Sequence, residues 1–230
     1  EVRLTMRRSC TALLLANCAL AFAQTGLPQL PSSGSSIGAF VPERWLAIDT
    51  AFGDLNKDQR DDAVLVLQCR DTLLGDTMGM GSESSPAPPR TLAVLFGTVD
   101  GYQLGLQNDR FILRSNEGGY FDPFEGVHVE DGKLLLYFYG GSGWRFSRTY
   151  TFRYSNTGFE LIGAEAISYD SPTGDGVARS LDFLAHRMQV RTGNVTQHEE
   201  GDKTLEQELP PWPLRTFDTF VRPFTWWIDP

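Results

Sequence analysis

The chain reads as an all-β protein. The expected arrangement is antiparallel strands and hairpins in a sandwich or partial-propeller-like form, with an irregular aromatic C-terminal tail. Three observations predict it. Short apolar or alternating runs recur through most of the sequence. Turn signals such as Asp100-Gly101, Asp131-Gly132, Gly140-Gly141 and Asp175-Gly176 separate those runs. The prolines after Leu209 forbid a continuous helix or a central strand at the end of the chain.

The first segment is read as a targeting signal. Met6-Arg7-Arg8 is basic, residues 11–22 are mostly apolar, and Ala21-Phe22-Ala23 is an A-x-A cleavage pattern. Residues 1–23 are therefore expected to be a signal peptide that sends the chain to the periplasm or outside the cell. The apolar run is too short to span a bilayer, so no membrane span is expected. Residues 24–42, rich in Pro, Ser and Gly, read as a flexible linker. Residues 43–230 have the length of one β-rich domain with a sizeable core.

Strands are expected at 45–50, 63–68, 91–97, 102–106, 110–113, 126–129, 133–139, 145–154 and 159–167. The clearest holds Phe146, Tyr150, Phe152 and Tyr154, where aromatics alternate with Thr, Ser and Arg as on a half-buried strand. Glu130-Asp131-Gly132-Lys133 predicts a tight hairpin, because both turn residues tolerate positive φ. Residues 70–90 carry no period and read as a mobile loop. Residues 177–190 fit a helix stripe or strands, and their neighbours favour strands. The tail places Trp212, Phe217, Phe220, Phe224, Trp226 and Trp227 within a short span. Those rings either wrap back to close the core or form an exposed patch for a partner.

The net charge is −9, and removal of residues 1–23 would make the chain more acidic still. Such a protein repels nucleic acid and anionic surfaces, so neither is an expected partner. Of the three cysteines, Cys10 and Cys18 lie in the leader. Cys69 alone cannot form an internal disulfide, which excludes a disulfide-stapled scaffold.

Residues Asp54-Leu55-Asn56-Lys57-Asp58-Gln59-Arg60-Asp61-Asp62 place side-chain oxygens at positions 1, 3, 5 and 9 of a loop. Calcium takes oxygen ligands in such loops. Asp54, Asn56, Asp58 and Asp62 would offer side chains, and Arg60 only its carbonyl. An EF-hand needs a Glu at position 12 and a following helix; Leu65 stands there, inside a strand-like run. The alternative is an acidic turn whose Asp and Asn residues merely shape the backbone.

The stretch from Phe52-Gly53 through this loop to Ala63-Val64-Leu65 resembles the FG-GAP, or VCBS, repeat of integrin α-chains and many bacterial secreted proteins. The resemblance covers roughly residues 45–96 in a single copy. It implies a loop between two strands that holds calcium, and a scaffold or binding role. Gln59 departs from the family pattern, which prefers Gly for the sharp turn. A complete propeller, built from several such repeats, is not implied.

Two glycine-rich loops are candidates for a recognition surface. One contains Gly118-Gly119-Tyr120-Phe121-Asp122 and leads to Glu125; the other is Gly140-Gly141-Ser142-Gly143 followed by Trp144 and Arg145. They present aromatics and opposite charges, with Arg145 expected near Asp122 or Glu125. The sequence contains no zincin motif or phosphate-binding loop, and no catalytic residue is assigned. The histidines lack metal-ligand spacing. Asn194-Val195-Thr196 matches an N-glycosylation acceptor.

These features favour an exported, calcium-stabilised, non-enzymatic module that binds a protein or glycan. One alternative is a periplasmic immunity-type inhibitor of an exported toxin. Another is a hydrolase using the Asp122/Glu125/Arg145 region, since paired carboxylates can serve glycoside cleavage.

Overall fold

Strand-forming runs joined by tight turns give two antiparallel sheets in the computed structural model, which describes residues 27–71, 87–197 and 202–226. The first sheet contains β1 (Ser33–Gly34), β2 (Trp45–Gly53), β3 (Asp62–Cys69), β4 (Arg90–Thr98) and β5 (Gly101–Asn108), in the order β1-β5-β4-β3-β2. The second contains β6 (Phe124–Glu130), β7 (Lys133–Gly141), β8 (Trp144–Ser155), β9 (Gly158–Asp170), β10 (Asp175–Asp182), β11 (Arg187–Asn194) and β12 (Lys203–Glu208), in sequence order across the sheet. The sheets pack in a sandwich-like arrangement and do not close into a barrel. No helix among the described residues is long and apolar enough to cross a membrane. Residues 1–26 and 72–86 lie outside the described residues, and with them the expected signal peptide and most of the expected mobile loop.

The core explains the sequence pattern. Val64 and Val66 of β3 and Leu92 and Val94 of β4 face Leu134, Leu136, Phe138, Tyr150 and Phe152 of the second sheet. The intervening residues Ala63, Leu65, Leu67, Ala93 and Leu95 form a separate cluster with Leu30, Phe40 and Trp45 on the other face of the first sheet. Burial on both faces is why β3 and β4 read as continuous apolar runs rather than alternating ones.

This second layer corrects the linker expectation for the described part of 24–42. Leu30 and Phe40 are buried, a 3-10 turn spans Ile37–Phe40, and Ser33–Gly34 pairs with β5. Apolar area on the outer face of the first sheet needs a cover, and this segment supplies it. The strand expected at 110–113 is also corrected. Phe111, Ile112 and Leu113 are buried without strand pairing, and the Asn108 side chain accepts from the amides of Arg110 and Phe111 to turn the chain.

The 177–190 segment forms β10 and β11 around a turn in which His186 has φ 51°. Asp131 and Gly132 both have positive φ, as the hairpin signal requires. The tail closes the core: Phe217 and Phe220 are buried and meet Phe111 edge-on at 5.0 and 5.3 Å between ring centres. Its backbone docks on β9, with the Leu161 amide donating to the Arg215 carbonyl at 2.7 Å.

Candidate functional site

The acidic loop joins β2 to β3, and hydrogen bonds from its own backbone shape it. The Asp58 amide donates to Asp54 Oδ1 at 3.1 Å and to Asn56 Oδ1 at 3.0 Å. The Gln59 amide donates to Asp54 Oδ2, and the Arg60 amide to Asp58 Oδ1. Gln59 takes φ 68° and Lys57 φ 66°, the left-handed region that disfavours both side chains. Leu55 is buried in the core and anchors the loop.

Asp62 behaves differently from the other three candidate ligands. It is fully buried, and one of its oxygens accepts from the amides of Leu55 and Asn56. Its second oxygen accepts from the Gly97 amide of β4 at 2.9 Å. Burial pushes its carboxyl above the ordinary range, against the opposing effect of those three amide bonds, and the nearby Asp58 adds to the rise. No cationic side chain pairs with Asp62 among the described residues.

The loop matches a hard cation in ligand type. A carboxylate has about four acceptor positions and an amide oxygen two, so Asp54 and Asn56 keep acceptor capacity beyond their amide bonds. Asp58 Oδ2 meets the guanidinium of Arg60 at 3.3 Å in an exposed pair. As they stand, however, no group of three or more His, Cys, Asp or Glu among the described residues is gathered closely enough to hold a metal ion.

The two glycine-rich loops come together at the other candidate site. The Gly141 amide donates to the Gly118 carbonyl at 2.6 Å, and Gly119 bridges Gly141. A side chain on Gly140 would strike the Gly118 carbonyl and the Phe146 ring, so this contact depends on glycine. Tyr120 and Trp144 are exposed, at 80% and 63%. Phe121 packs edge-on against Tyr120, and the Arg145 guanidinium lies over the Phe121 and Tyr139 rings at 5.4 and 6.0 Å.

The expected pairing of Arg145 with Asp122 or Glu125 is not observed. Asp122 is bound in two-pronged fashion by Arg90 of β4, whose side chain is almost fully buried and also donates to the Leu113 carbonyl and Gln68. The geometry favours this partner because Asp122 lies where the two sheets meet, while Arg145 is held by aromatic rings. Glu125 sits at a bulge in β6 and is exposed.

A groove of about 520 Å³ opens beside these loops, with Trp144, Arg145, Phe146, Ser168, Asp175 and Phe224 among its lining residues. Phe146 and Ser168 are register partners on β8 and β9. Phe224 reaches the groove from the tail, where its ring meets Phe146 edge-on at 4.8 Å. Sequence reasoning singled out Trp144 and Arg145 but not Ser168, Asp175 or Phe224, which come from distant strands and the tail; the tail's aromatic excess was the only sequence signal. No protein-family model and no curated protein matches the sequence.

Proposed function

We propose that the chain is an exported, non-enzymatic binding module that recognises a protein or glycan at its paired glycine-rich loops. One observation carries this reading: large aromatic rings stand in solvent on a backbone locked by loop-to-loop contacts. Folding gains little from such rings, whereas Tyr, Trp and Arg are the side chains that anchor interfaces. A rigid platform also loses little conformational freedom when a partner binds.

Calcium has a structural role in this reading. Asp54, Asn56, Asp58 and the Arg60 carbonyl would hold it, with Asp62 behind them. The ion would offset negative charge and tie β2 to β3. The resemblance of residues 45–96 to calcium-binding repeats supports this role, as does the acceptor capacity left on Asp54 and Asn56. The leader-like pattern in residues 1–23 supports export.

The engagement of Asp122 weighs against the hydrolase reading at the Asp122/Glu125/Arg145 region. Asp122 is committed to Arg90. Purified protein is expected to cleave no peptidoglycan, ester or glycoside substrate, and turnover abolished by Glu125→Gln at unchanged melting temperature would overturn this. The binding role is tested by capture from a periplasmic extract with and without calcium, using wild type and Trp144→Ala. A partner held by wild type and lost by the variant is expected. Identical capture by both proteins would remove the assignment of the surface.

A further inference from the structure

The shape and charge of the groove beside Trp144 narrow the class of ligand, on the premise that this end of the molecule is a binding site. We infer that the groove takes a short saccharide bearing a carboxylate, with the sugar against the aromatic rings and its acid group on Arg145.

Three features combine to give this specificity. First, Trp144, Phe146 and Phe224 offer apolar ring surface along an open groove whose volume, about 520 Å³, falls in the range of small-ligand sites. A sugar ring has a C–H face that lies on such a surface and a hydroxyl edge that needs polar partners. Ser168 and Asp175 supply donors and acceptors in the same groove. A long acyl chain would instead call for an enclosed apolar tunnel.

Second, Arg145 is a cation without a carboxylate partner among the described residues. Its guanidinium is held in place by the Phe121 and Tyr139 rings and makes one long hydrogen bond, 3.4 Å, to the Gly141 carbonyl. A planar guanidinium has five donors in a fork that matches a carboxylate, so most of its capacity is left for a ligand.

Third, the chain as a whole carries net charge −9. That field opposes a polyanion such as nucleic acid or an anionic membrane. It tolerates a single carboxylate paired directly with a cation. The complementarity is therefore local: Arg145 is a fixed positive group beside aromatic surface, while Arg148, which also lines the groove, donates to the Ser147 and Ile167 carbonyls.

The test is an array of oligosaccharides containing uronic, sialic or muramic acids, each displayed beside its carboxyl-reduced neutral counterpart. Full-length mature protein is applied, and hits are confirmed by tryptophan fluorescence and calorimetry. Wild type should prefer the carboxylated member of a pair by about tenfold, the scale of one charged hydrogen-bonded contact. Arg145→Ala should keep binding to the neutral sugar and bring the preference down to about one. Trp144→Ala should lose both sugars and the fluorescence response while retaining the wild-type melting temperature. Equal binding of charged and neutral members by wild type would overturn the inference, as would a preference that survives Arg145→Ala. If no sugar binds while a protein is captured in a Trp144-dependent way, the saccharide inference falls and the binding surface stands. If capture is also independent of Trp144, both fall.

Discussion

The acidic loop and the paired glycine-rich loops use polar and aromatic groups in opposite ways. At the acidic loop, Asp62 is buried and spends its oxygens on three backbone amides, two from the loop itself and one from β4. At the paired loops, Tyr120 and Trp144 face water and the half-buried Arg145 is held by neighbouring rings. The first region converts chemistry into fold. The second holds chemistry in reserve, on a framework that the fold has already made rigid. The contrast turns on whether a side chain's bonding capacity is satisfied inside the molecule.

The strongest challenge to this contrast comes from the closed part of the molecule. Phe220 is almost fully buried and packs against Phe111, Tyr150 and Trp226. Phe220→Ala should cost about 3–5 kcal/mol, the usual range for deleting a buried aromatic. Since a domain has only about 5–15 kcal/mol to lose, truncation before Trp212 should give an insoluble or loosely packed product. Urea unfolding of the point variant and solubility of the truncation measure these effects. A truncated chain that melts normally would move the tail from the core to the recognition surface.

Asp62→Ala comes next, with an expected loss of about 2–4 kcal/mol. It leaves three amides without their acceptor, at about 1–3 kcal/mol for each group that water cannot reach. The pH dependence has a defined sign. Because the folded state raises the Asp62 pKa above its ordinary value of 3.8, the folded chain binds more protons than the unfolded chain in the window just above that value. The Asp62 contribution therefore lowers stability as pH rises through the window. Urea midpoints across mildly acidic pH, without calcium, measure the slope. A rise in the Asp62 contribution, isolated by comparison with Asp62→Ala, would contradict the burial argument.

The acidic loop also shows how far the sequence could be read. Oxygen spacing, the following strand and the Asp-Gly hairpins are local signals, and local signals locate most of the strands. The cover formed by Leu30 and Phe40 was hidden because its own composition is that of a linker. Its need was nevertheless legible elsewhere, since apolar residues at both parities of β3 and β4 require two covering layers. β12 gave no such clue: all six of its residues are exposed, so backbone pairing to β11 defines it. The Arg90–Asp122 pair spans 32 residues, and no periodic pattern points across that distance. The paired glycine-rich loops were legible as glycine-rich aromatic segments, but the partners of their charges were set by tertiary packing.

Calcium should have a smaller effect than either core change. Weak affinity, roughly 10⁻⁴ to 10⁻³ M as in extracellular modules, gives on the order of 1 kcal/mol of stabilisation at millimolar calcium. Gln59→Gly should add about 1 kcal/mol of its own, because glycine accepts the φ of 68° without a side-chain penalty. It should also tighten calcium binding, while Asp58→Ala should abolish the calcium response. Melting scans with calcium and with chelator separate these outcomes. An equal response in wild type and Asp58→Ala would leave the loop as an acidic turn.

The smallest expected effect on stability belongs to the paired loops. Trp144→Ala and Tyr120→Ala should each change unfolding free energy by no more than about 0.5 kcal/mol, the usual range for a surface substitution away from core, cap or buried pair. Trp144 is exposed at 63% and Tyr120 at 80%, so little buried area is lost when either ring is removed. Glycine contacts between Gly118 and Gly141, rather than these rings, hold the loops together. Denaturant midpoints of the two variants should therefore match wild type, while binding at this end falls. A loss of several kcal/mol would show that the rings serve the fold after all, and the distinction between the two regions would disappear.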